Sequence, residues 1–185
     1  MRVIAGTLGG RNFDSPGSHR THPMSDKMRG ALFNILGDVN DLVVLDAFGG
    51  SGALSFEAAS RGAREVVVLD NDRQAQQTIE QNIRVLGLDG QVQLIKAAAG
   101  AWLNTTYDEQ FDVVLCDPPY DDLQPALLVR LASRVIPHGV LVLSYPAGMP
   151  APELPRLEQI KQQGYGDAQL IFYRGVAPTD LAIDL

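Results

Sequence analysis

Apolar residues in this chain occur in two alternating patterns, short unbroken runs and longer segments with helical spacing. Residues 42–45 (LVVL) and 66–69 (VVVL) are runs of the first kind. Such runs are apolar on both faces, as the strands of a parallel sheet are when helices cover both of its sides. Residues 73–86 show the second pattern, because Ile79 and Ile83 recur on one helical face. The alternation predicts an α/β fold with a doubly wound, mostly parallel sheet.

The same patterns place the individual elements. Ser25 is the predicted N-cap of the first helix, Met28 and Leu32 lie on its apolar face, and Gly37 ends it. Further helices are predicted at 53–61, 73–86, 123–135 and 157–163. Strands are predicted at 42–47, 65–70, 91–95, 111–116, 139–145 and 169–174.

A length of 185 residues fits one domain with one core. We expect a single domain over 1–185, with an N-terminal basic arm at 1–24 that holds a short strand or hairpin, a core at 25–174 and a tail at 175–185. No apolar stretch reaches the roughly 18 residues of a membrane span, and glycines interrupt the start where a secretory signal would be apolar. The sequence therefore favours a cytoplasmic protein without membrane contact.

Charge is unevenly distributed along the chain. The whole sequence has a formal net charge of −7, whereas residues 1–30 hold five Lys or Arg side chains and only two Asp. A basic end on an acidic body suggests a local contact with a polyanion, although a solvated charged terminus explains the pattern as well. The single cysteine, Cys116, lies in a predicted strand and has no second thiol for a disulfide or a zinc site.

A glycine-rich loop follows the first predicted strand, in the sequence Asp46-Ala47-Phe48-Gly49-Gly50-Ser51-Gly52. Glycines at a strand-to-helix junction let the backbone approach a nucleotide-type cofactor, and Asp70 stands near where a ribose-binding carboxylate belongs. The spacing alone also fits NAD. Asp46 separates the two cofactors, because a carboxylate accepts hydrogen bonds from the α-ammonium of S-adenosylmethionine but repels a pyrophosphate. The sequence therefore favours S-adenosylmethionine.

The sharpest motif is Asp117-Pro118-Pro119-Tyr120, directly after the predicted strand 111–116. Two prolines make the loop rigid and free its carbonyls for a ligand at the carboxyl edge of the sheet. The Asp117 carboxylate and the Pro118 carbonyl could accept the two hydrogens of an exocyclic amine, while Tyr120 stacks on its base. The motif predicts methylation of an amino nitrogen, with Asp117, Pro118 and Tyr120 as the catalytic residues.

Three segments together resemble the bacterial 16S ribosomal RNA guanine-N2 methyltransferase D family over nearly the whole chain. They are Ser25-Asp26-x-x-Arg29, Asp46-x-Phe48-x-Gly50-Ser51-Gly52 and Asp117-Pro118-Pro119-Tyr120. The resemblance implies a seven-stranded, Rossmann-like methyltransferase sheet with a reversed final strand and S-adenosylmethionine as the methyl donor. It also implies that the substrate is a guanine in a 16S hairpin loop near the decoding region, on free 16S ribosomal RNA or the 30S subunit.

The resemblance also assigns residues to the two ligands. Cofactor contacts are expected from Asp46, Phe48, Gly49, Gly50, Ser51, Gly52, Asp70, Asn71, Ala98 and Asp117. Substrate contacts are expected from Arg2, Arg11, Arg20, Arg29 and Tyr120, with residues 21–29 closing over the methionine end of the cofactor. No metal site is predicted, because the three histidines lack a supporting ligand pattern. A monomer is the default expectation.

The chain departs from the family pattern at three places. His22 and Met24 stand where relatives have Arg and Thr, Gly50 replaces Ala or Thr, and residues 96–99 (KAAA) lack the acidic residue that follows the third strand. The adenine ring of the cofactor is then expected to be held by backbone groups and apolar packing. Two alternatives to guanine methylation remain open at this point: an adenine-N6 or other amine methyltransferase on DNA or RNA, and a non-catalytic RNA-binding assembly factor with a degenerate cofactor site.

Overall fold

The computed structural model describes residues 1–17 and 24–177. Within these residues, seven strands form one sheet in the order β3-β2-β1-β4-β5-β7-β6. The elements along the chain are α1 (Asp26–Leu36), β1 (Val43–Asp46), α2 (Ala53–Ser60), β2 (Glu65–Leu69), α3 (Arg73–Leu86), β3 (Val92–Ile95), α4 (Ala99–Trp102), β4 (Phe111–Cys116), α5 (Pro125–Ala132), β5 (Val135–Pro146), β6 (Leu157–Tyr165) and β7 (Ala168–Gly175).

The sheet is parallel from β3 through β5, and β7 runs antiparallel to both β5 and β6. The predicted doubly wound, mostly parallel, seven-stranded Rossmann-like sheet with a reversed final strand is therefore confirmed. β1 lies between β2 and β4, so the strand order reverses direction at β1. The loops after β1 and β4 leave the sheet at this switch point, where open α/β sheets bind ligands.

Alternate residues of the central strands enter two separate cores. Val44 and Val113 pack with the core that includes residues of α1, α2 and α3, whereas Leu45 and Val114 pack with the core that includes α4 and α5. Helices thus cover both faces of the sheet, as the unbroken apolar runs require. Cys116 is buried in the second core, in agreement with its predicted place in a strand.

The caps of the helices agree with the sequence prediction. The Ser25 side chain accepts a hydrogen bond from the Met28 amide at 3.2 Å and so caps α1. Gly37 follows the last residue of α1 with a φ of 88°, and Gly87 ends α3 in the left-handed conformation. None of the helices in the described ranges is long and apolar enough to cross a membrane.

The prediction of a helix at 157–163 was wrong. This segment is the edge strand β6, which pairs with β7 from Leu157 opposite Gly175 to Tyr165 opposite Ala168. Its Glu, Gln and Lys residues favour a helix in isolation, but the ladder to β7 and the tight turn at Gly166, whose φ is 68°, override that preference. The exposure of most of the strand explains why its residues are polar.

Two smaller differences concern helices near the second core. The helix predicted at 123–135 spans only Pro125–Ala132, because Pro125 occupies its first turn and Val135 already belongs to β5. The one-turn helix Ala99–Trp102 was not predicted, since four residues are too few to show a helical period.

The N-terminal segment is packed onto α2 through a buried carboxylate. An isolated antiparallel bridge pairs Arg2 with Asn12. Glu57, whose side chain has no exposed area, accepts hydrogen bonds from the amides of Ile4 at 2.7 Å and Ala5 at 3.1 Å and from Arg61 Nε at 2.7 Å. Glu57 therefore joins this segment to the helix that follows the glycine-rich loop.

Replacing Glu57 with Gln should destabilise the fold strongly. An amide keeps the volume of the side chain but leaves the buried donors without an anionic partner, and breaking a buried pair costs about 3–5 kcal/mol. We expect the free energy of unfolding in urea to fall by that amount. Glu65→Gln, an exposed carboxylate at the start of β2, is the control and should change stability by less than about 0.5 kcal/mol. Equal stability of the two variants would contradict the role of Glu57.

Candidate active site

The glycine-rich loop and the Asp117–Tyr120 segment leave the same edge of the sheet. β1 ends at Asp46 and β4 ends at Cys116, and the parallel register sets Asp46 beside Leu115. The Ala47 amide donates a hydrogen bond to the Leu115 carbonyl at 3.0 Å, which extends the pairing by one residue. The two motifs that the sequence singled out therefore begin on neighbouring strand ends.

The glycine-rich loop folds back against the end of β2. The Gly49 amide donates to the Leu69 carbonyl at 2.8 Å, and the Gly50 amide donates to Asp70 Oδ2 at 2.7 Å. A Cβ atom on Gly49 would lie 2.6 Å from Val68 Cγ2, so only glycine fits there.

The end of the loop is equally restricted. Gly52 has a φ of 78°, and a Cβ atom on it would lie 2.6 Å from the ring of Phe56. Ser51 is buried, whereas the Phe48 side chain is only partly buried. The loop is thus a compact turn next to the start of α2, in which Gly50 and Phe48 stay partly exposed.

Asp46 is a fully buried carboxyl group at the tip of β1. It accepts hydrogen bonds from Ser55 Oγ at 2.7 Å and from the Phe48 amide at 3.4 Å. Burial raises the pKa of Asp46 to about 7, the hydrogen bonds oppose the rise, and the Asp117 and Asp70 carboxylates add to it. A cation placed beside Asp46 would relieve this cost and favour the ionised form.

Asp70 closes the loop from the neighbouring strand. Its two carboxylate oxygens accept hydrogen bonds from the amides of Gly50 and Asp72, both at 2.7 Å. Burial raises the pKa of Asp70, and the hydrogen bonds from these amides oppose that rise. The structure leaves Asp70 half-exposed and Asn71 exposed at the end of β2, where the sequence expects a ribose.

The Asp117–Tyr120 segment is held by a residue that the sequence reasoning missed. The Tyr120 hydroxyl lies 2.8 Å from Ser144 Oγ on β5. Burial raises the pKa of Asp117, and the Ser144 side chain opposes that rise. Pro118 is buried and Pro119 is exposed. One signal could have found Ser144: it is a hydroxyl residue that follows the apolar run 140–143 (VLVL) in a strand beside β4.

The electrostatics of this edge favour a positively charged ligand. Asp46, Asp70 and Asp117 all have pKa values raised by burial, and none of them forms an ion pair within residues 1–17 and 24–177. A ligand with a sulfonium and an ammonium group supplies the missing positive charge. The charge of the site therefore fits the cofactor predicted from the sequence better than it fits a dinucleotide.

Ala98 lies on the same side of the sheet, after β3. It is exposed and precedes α4, and its carbonyl accepts hydrogen bonds from the amides of Ala101 and Trp102. Ile95 and Ala97 nearby are partly buried against the second core. Neither of these side chains offers a carboxylate, and an adenine held by backbone groups and apolar packing stays a prediction.

Of the four arginines assigned to the substrate, two are exposed. Arg2 Nε lies 3.2 Å from Asp26 Oδ2, and Arg11 donates to the Val85 carbonyl at 3.1 Å. Arg20 lies outside the described residues, as does His22.

The prediction that Arg29 contacts the substrate disagrees with the structure, because the Arg29 side chain has no exposed area. It donates hydrogen bonds to the Arg2 carbonyl at 2.8 Å and to Asp26 Oδ1 at 2.9 Å, and its Nε lies 4.0 Å from Glu57 Oε2. A guanidinium enclosed in this way fastens the N-terminal segment to α1 and α2. Arg29 therefore does not present its charge to an RNA phosphate, although the sequence predicts that contact.

No group of three or more His, Cys, Asp or Glu side chains in the described part of the chain could hold a metal ion. A surface cavity of about 500 Å³ lies between α5, the segment 151–155 and the strands β6 and β7. It contains none of the predicted site residues.

A family model described as Conserved hypothetical protein 95 matches residues 1–174. Among curated relatives, a Bacillus subtilis protein provisionally named as the rRNA methyltransferase YlbH is 29% identical over 181 residues, which are 94% of this chain and 98% of that protein. The Escherichia coli protein named Ribosomal RNA small subunit methyltransferase D is 34% identical over 121 residues, or 65% of this chain and 60% of that protein.

Solved structures give the same picture of the fold. An Escherichia coli structure provisionally named as the methyltransferase yhhF has a TM-score of 0.86 and 25% identity, and the match covers 96% of this chain and 98% of that one. The structure of SMU.776, described as complexed with SAH, has a TM-score of 0.67 at 16% identity, with 80% of this chain and 48% of that chain covered. The second likeness concerns the fold alone.

The affinity for S-adenosylhomocysteine, which keeps the α-ammonium of the donor, should depend on pH through Asp46. The pKa of this carboxyl is raised to about 7, so below that pH the free protein carries it protonated and binding must release the proton. We expect the affinity, measured by calorimetry, to fall as the pH decreases from 8 to 6, approaching about tenfold per pH unit.

Asp46→Asn is the matched control for this dependence. The amide keeps an acceptor for Ser55 but loses the charge, and a hydrogen bond to a charged group contributes about 1.5–3 kcal/mol. The variant should bind roughly ten- to a hundredfold more weakly at pH 8, with a flatter pH profile. An unchanged affinity and slope in Asp46→Asn would show that Asp46 does not contact the ammonium.

Proposed function

This chain belongs to the family described as Conserved hypothetical protein 95, the methyltransferase D family of the small ribosomal subunit, and we propose a specific reaction for it. The proposed reaction transfers a methyl group from S-adenosylmethionine to the exocyclic N2 amine of a guanine in 16S ribosomal RNA. The relatives named as rRNA methyltransferases support an RNA substrate. The choice of guanine N2 rests on the sequence resemblance.

One observation carries the proposal: the glycine-rich loop and Asp117 lie on neighbouring strand ends of one sheet edge. The Asp117 carboxylate is close enough to Asp46 to raise its pKa, and both carboxylates raise the pKa of the Cys116 thiol. A donor seated on the loop would therefore have its methyl group near the Asp117–Tyr120 segment. Transfer by in-line displacement needs such alignment more than it needs a strong base.

The residues of the chain would act by holding the amine and the donor in line. The Asp117 carboxylate and the Pro118 carbonyl each accept one hydrogen of the amine, which leaves the nitrogen lone pair directed at the methyl group. S-adenosylmethionine supplies an electrophilic methyl whose bond to sulfur breaks as the bond to nitrogen forms, with S-adenosylhomocysteine as the product. The surplus proton on the methylated nitrogen passes to Asp117 or to water. Tyr120, 39% exposed, offers its ring to the base.

Contacts with the RNA backbone are proposed for Arg2 and Arg11, whose side chains are exposed. Arg20 stays in the proposal from the sequence alone. Arg29 is withdrawn from this set because it is buried. Phosphate contacts of this kind contribute affinity that decreases with salt and carry no base specificity.

Asp117→Asn should abolish most methyl transfer while the fold is retained. The amide cannot accept from the amine in the same way and removes the negative charge, and losing one preorganised electrostatic contact costs about a hundredfold or more in kcat. The assay measures methyl transfer from labelled donor to 30S particles or 16S RNA that lack native modification. Mass analysis of the labelled nucleoside then identifies the methylated base.

Asp108→Asn provides the control, because Asp108 is exposed in the loop before β4, at the opposite end of that strand. It should transfer methyl groups at the wild-type rate. Full activity of Asp117→Asn would exclude the proposed amine contact. If the product is N6-methyladenosine, the proposed site stands but the substrate base is adenine. If no nucleoside is labelled, a non-catalytic RNA-binding protein is favoured.

A further inference from the structure

We propose that Ser144 is a positioning residue of this site, whose hydroxyl holds Tyr120 beside Asp117 and fixes the tyrosine ring against the substrate base. The inference rests on the proposed function and extends it to a strand that neither sequence motif includes. Three features carry it: the register between β4 and β5, the burial of Ser144, and the contacts of its hydroxyl.

The register of the sheet puts Ser144 beside the catalytic segment. β4 and β5 are parallel, and their last registered pair is Cys116 with Leu143. The residues that follow this pair are Asp117, directly after the end of β4, and Ser144, within β5. Both residues therefore stand at the same edge of the sheet.

The burial of Ser144 means that its hydroxyl needs a hydrogen-bond partner within the protein. Ser144 is 2% exposed, and the four residues before it in β5 are apolar. A buried hydroxyl without a partner costs free energy that an alanine would avoid. Its Oγ lies 2.8 Å from the Tyr120 hydroxyl, so the partner of this buried hydroxyl belongs to the candidate site.

The contact between the two hydroxyls restricts the position of Tyr120. Either hydroxyl can donate in this hydrogen bond, and the oxygen of the other accepts. Ser144 is fixed within β5, so the bond holds the tyrosine ring in one orientation beside Asp117.

A matched pair of variants isolates the hydroxyl. Ser144→Thr and Ser144→Val add nearly the same volume at the buried position, and only threonine keeps an oxygen. Any strain from the added methyl group is therefore common to both. Thermal unfolding of the two proteins confirms that each is folded before its activity is compared.

Ser144→Val should lower kcat by about ten- to a hundredfold relative to Ser144→Thr, because misplacing reacting groups by about 1 Å costs that order of rate. The affinity for S-adenosylhomocysteine should be the same in both variants, since the hydroxyl does not contact the glycine-rich loop. A purely structural role would instead weaken cofactor binding and stability together.

The pH profile gives a second readout. The charge of Asp117 affects Asp46 on β1, Cys116 on β4 and Tyr120 in its own segment. The Ser144 side chain on β5 favours the ionised form of Asp117, so replacing its hydroxyl with a methyl group raises the pKa of that carboxyl. The acidic limb of the pH profile of kcat should move to higher pH in Ser144→Val and stay near the wild-type position in Ser144→Thr.

Hydrogen exchange separates this inference from the proposed function. The Asp122 amide donates to the Pro119 carbonyl at 2.9 Å, so its exchange reports on the order of the segment without any RNA. We expect faster exchange at 120–122 in Ser144→Val than in Ser144→Thr. Equal kcat in the two variants overturns the inference. If wild-type protein transfers no methyl group to 16S RNA, the proposed function fails, and equal exchange in the two variants then overturns the role of Ser144 independently.

Discussion

The pairing of β1 with β4 at their carboxyl ends is the constraint on which the site depends. The register of Asp46 with Leu115, continued by the hydrogen bond from the Ala47 amide to the Leu115 carbonyl, puts two loops of different origin on one edge. β1 carries the glycine-rich turn and β4 carries the rigid diproline segment. The strand order makes β1 and β4 neighbours. The two loops could not meet if another strand separated β1 from β4.

Three carboxyl groups at that edge lower the stability of the ligand-free protein. Asp46 is fully buried, whereas Asp70 and Asp117 are partly buried. Burial raises the pKa values of Asp46, Asp70 and Asp117, so each ionised carboxylate opposes folding as the pH increases above its ordinary pKa. A chain selected only for stability would place apolar residues there. The arrangement fits a cationic ligand that offsets the charge. The buried contacts of Glu57 and Arg29 hold the N-terminal segment on α1 and α2.

Sequence patterns predicted the central sheet well because strands covered on both faces are apolar throughout, as at Val66–Leu69, and because glycines and caps mark the helix ends. The failures have physical causes. β6 is an edge strand whose polar residues resemble a helix, and only its ladder to β7 decides the conformation. The burial of Arg29 depends on the folded position of residues 2–5, which no local pattern shows. The contact of Ser144 with the site was not predicted, because it depends on the pairing of β5 with β4.

The most direct test of the account is a crystal structure of this chain with S-adenosylhomocysteine. We predict that the α-ammonium lies within hydrogen-bond distance of Asp46, that the ribose hydroxyls face Asp70, and that the sulfur points towards Asp117 and Tyr120. A ligand seated elsewhere, or one whose sulfur faces away from Asp117, would contradict the claim that the ends of β1 and β4 form one active site.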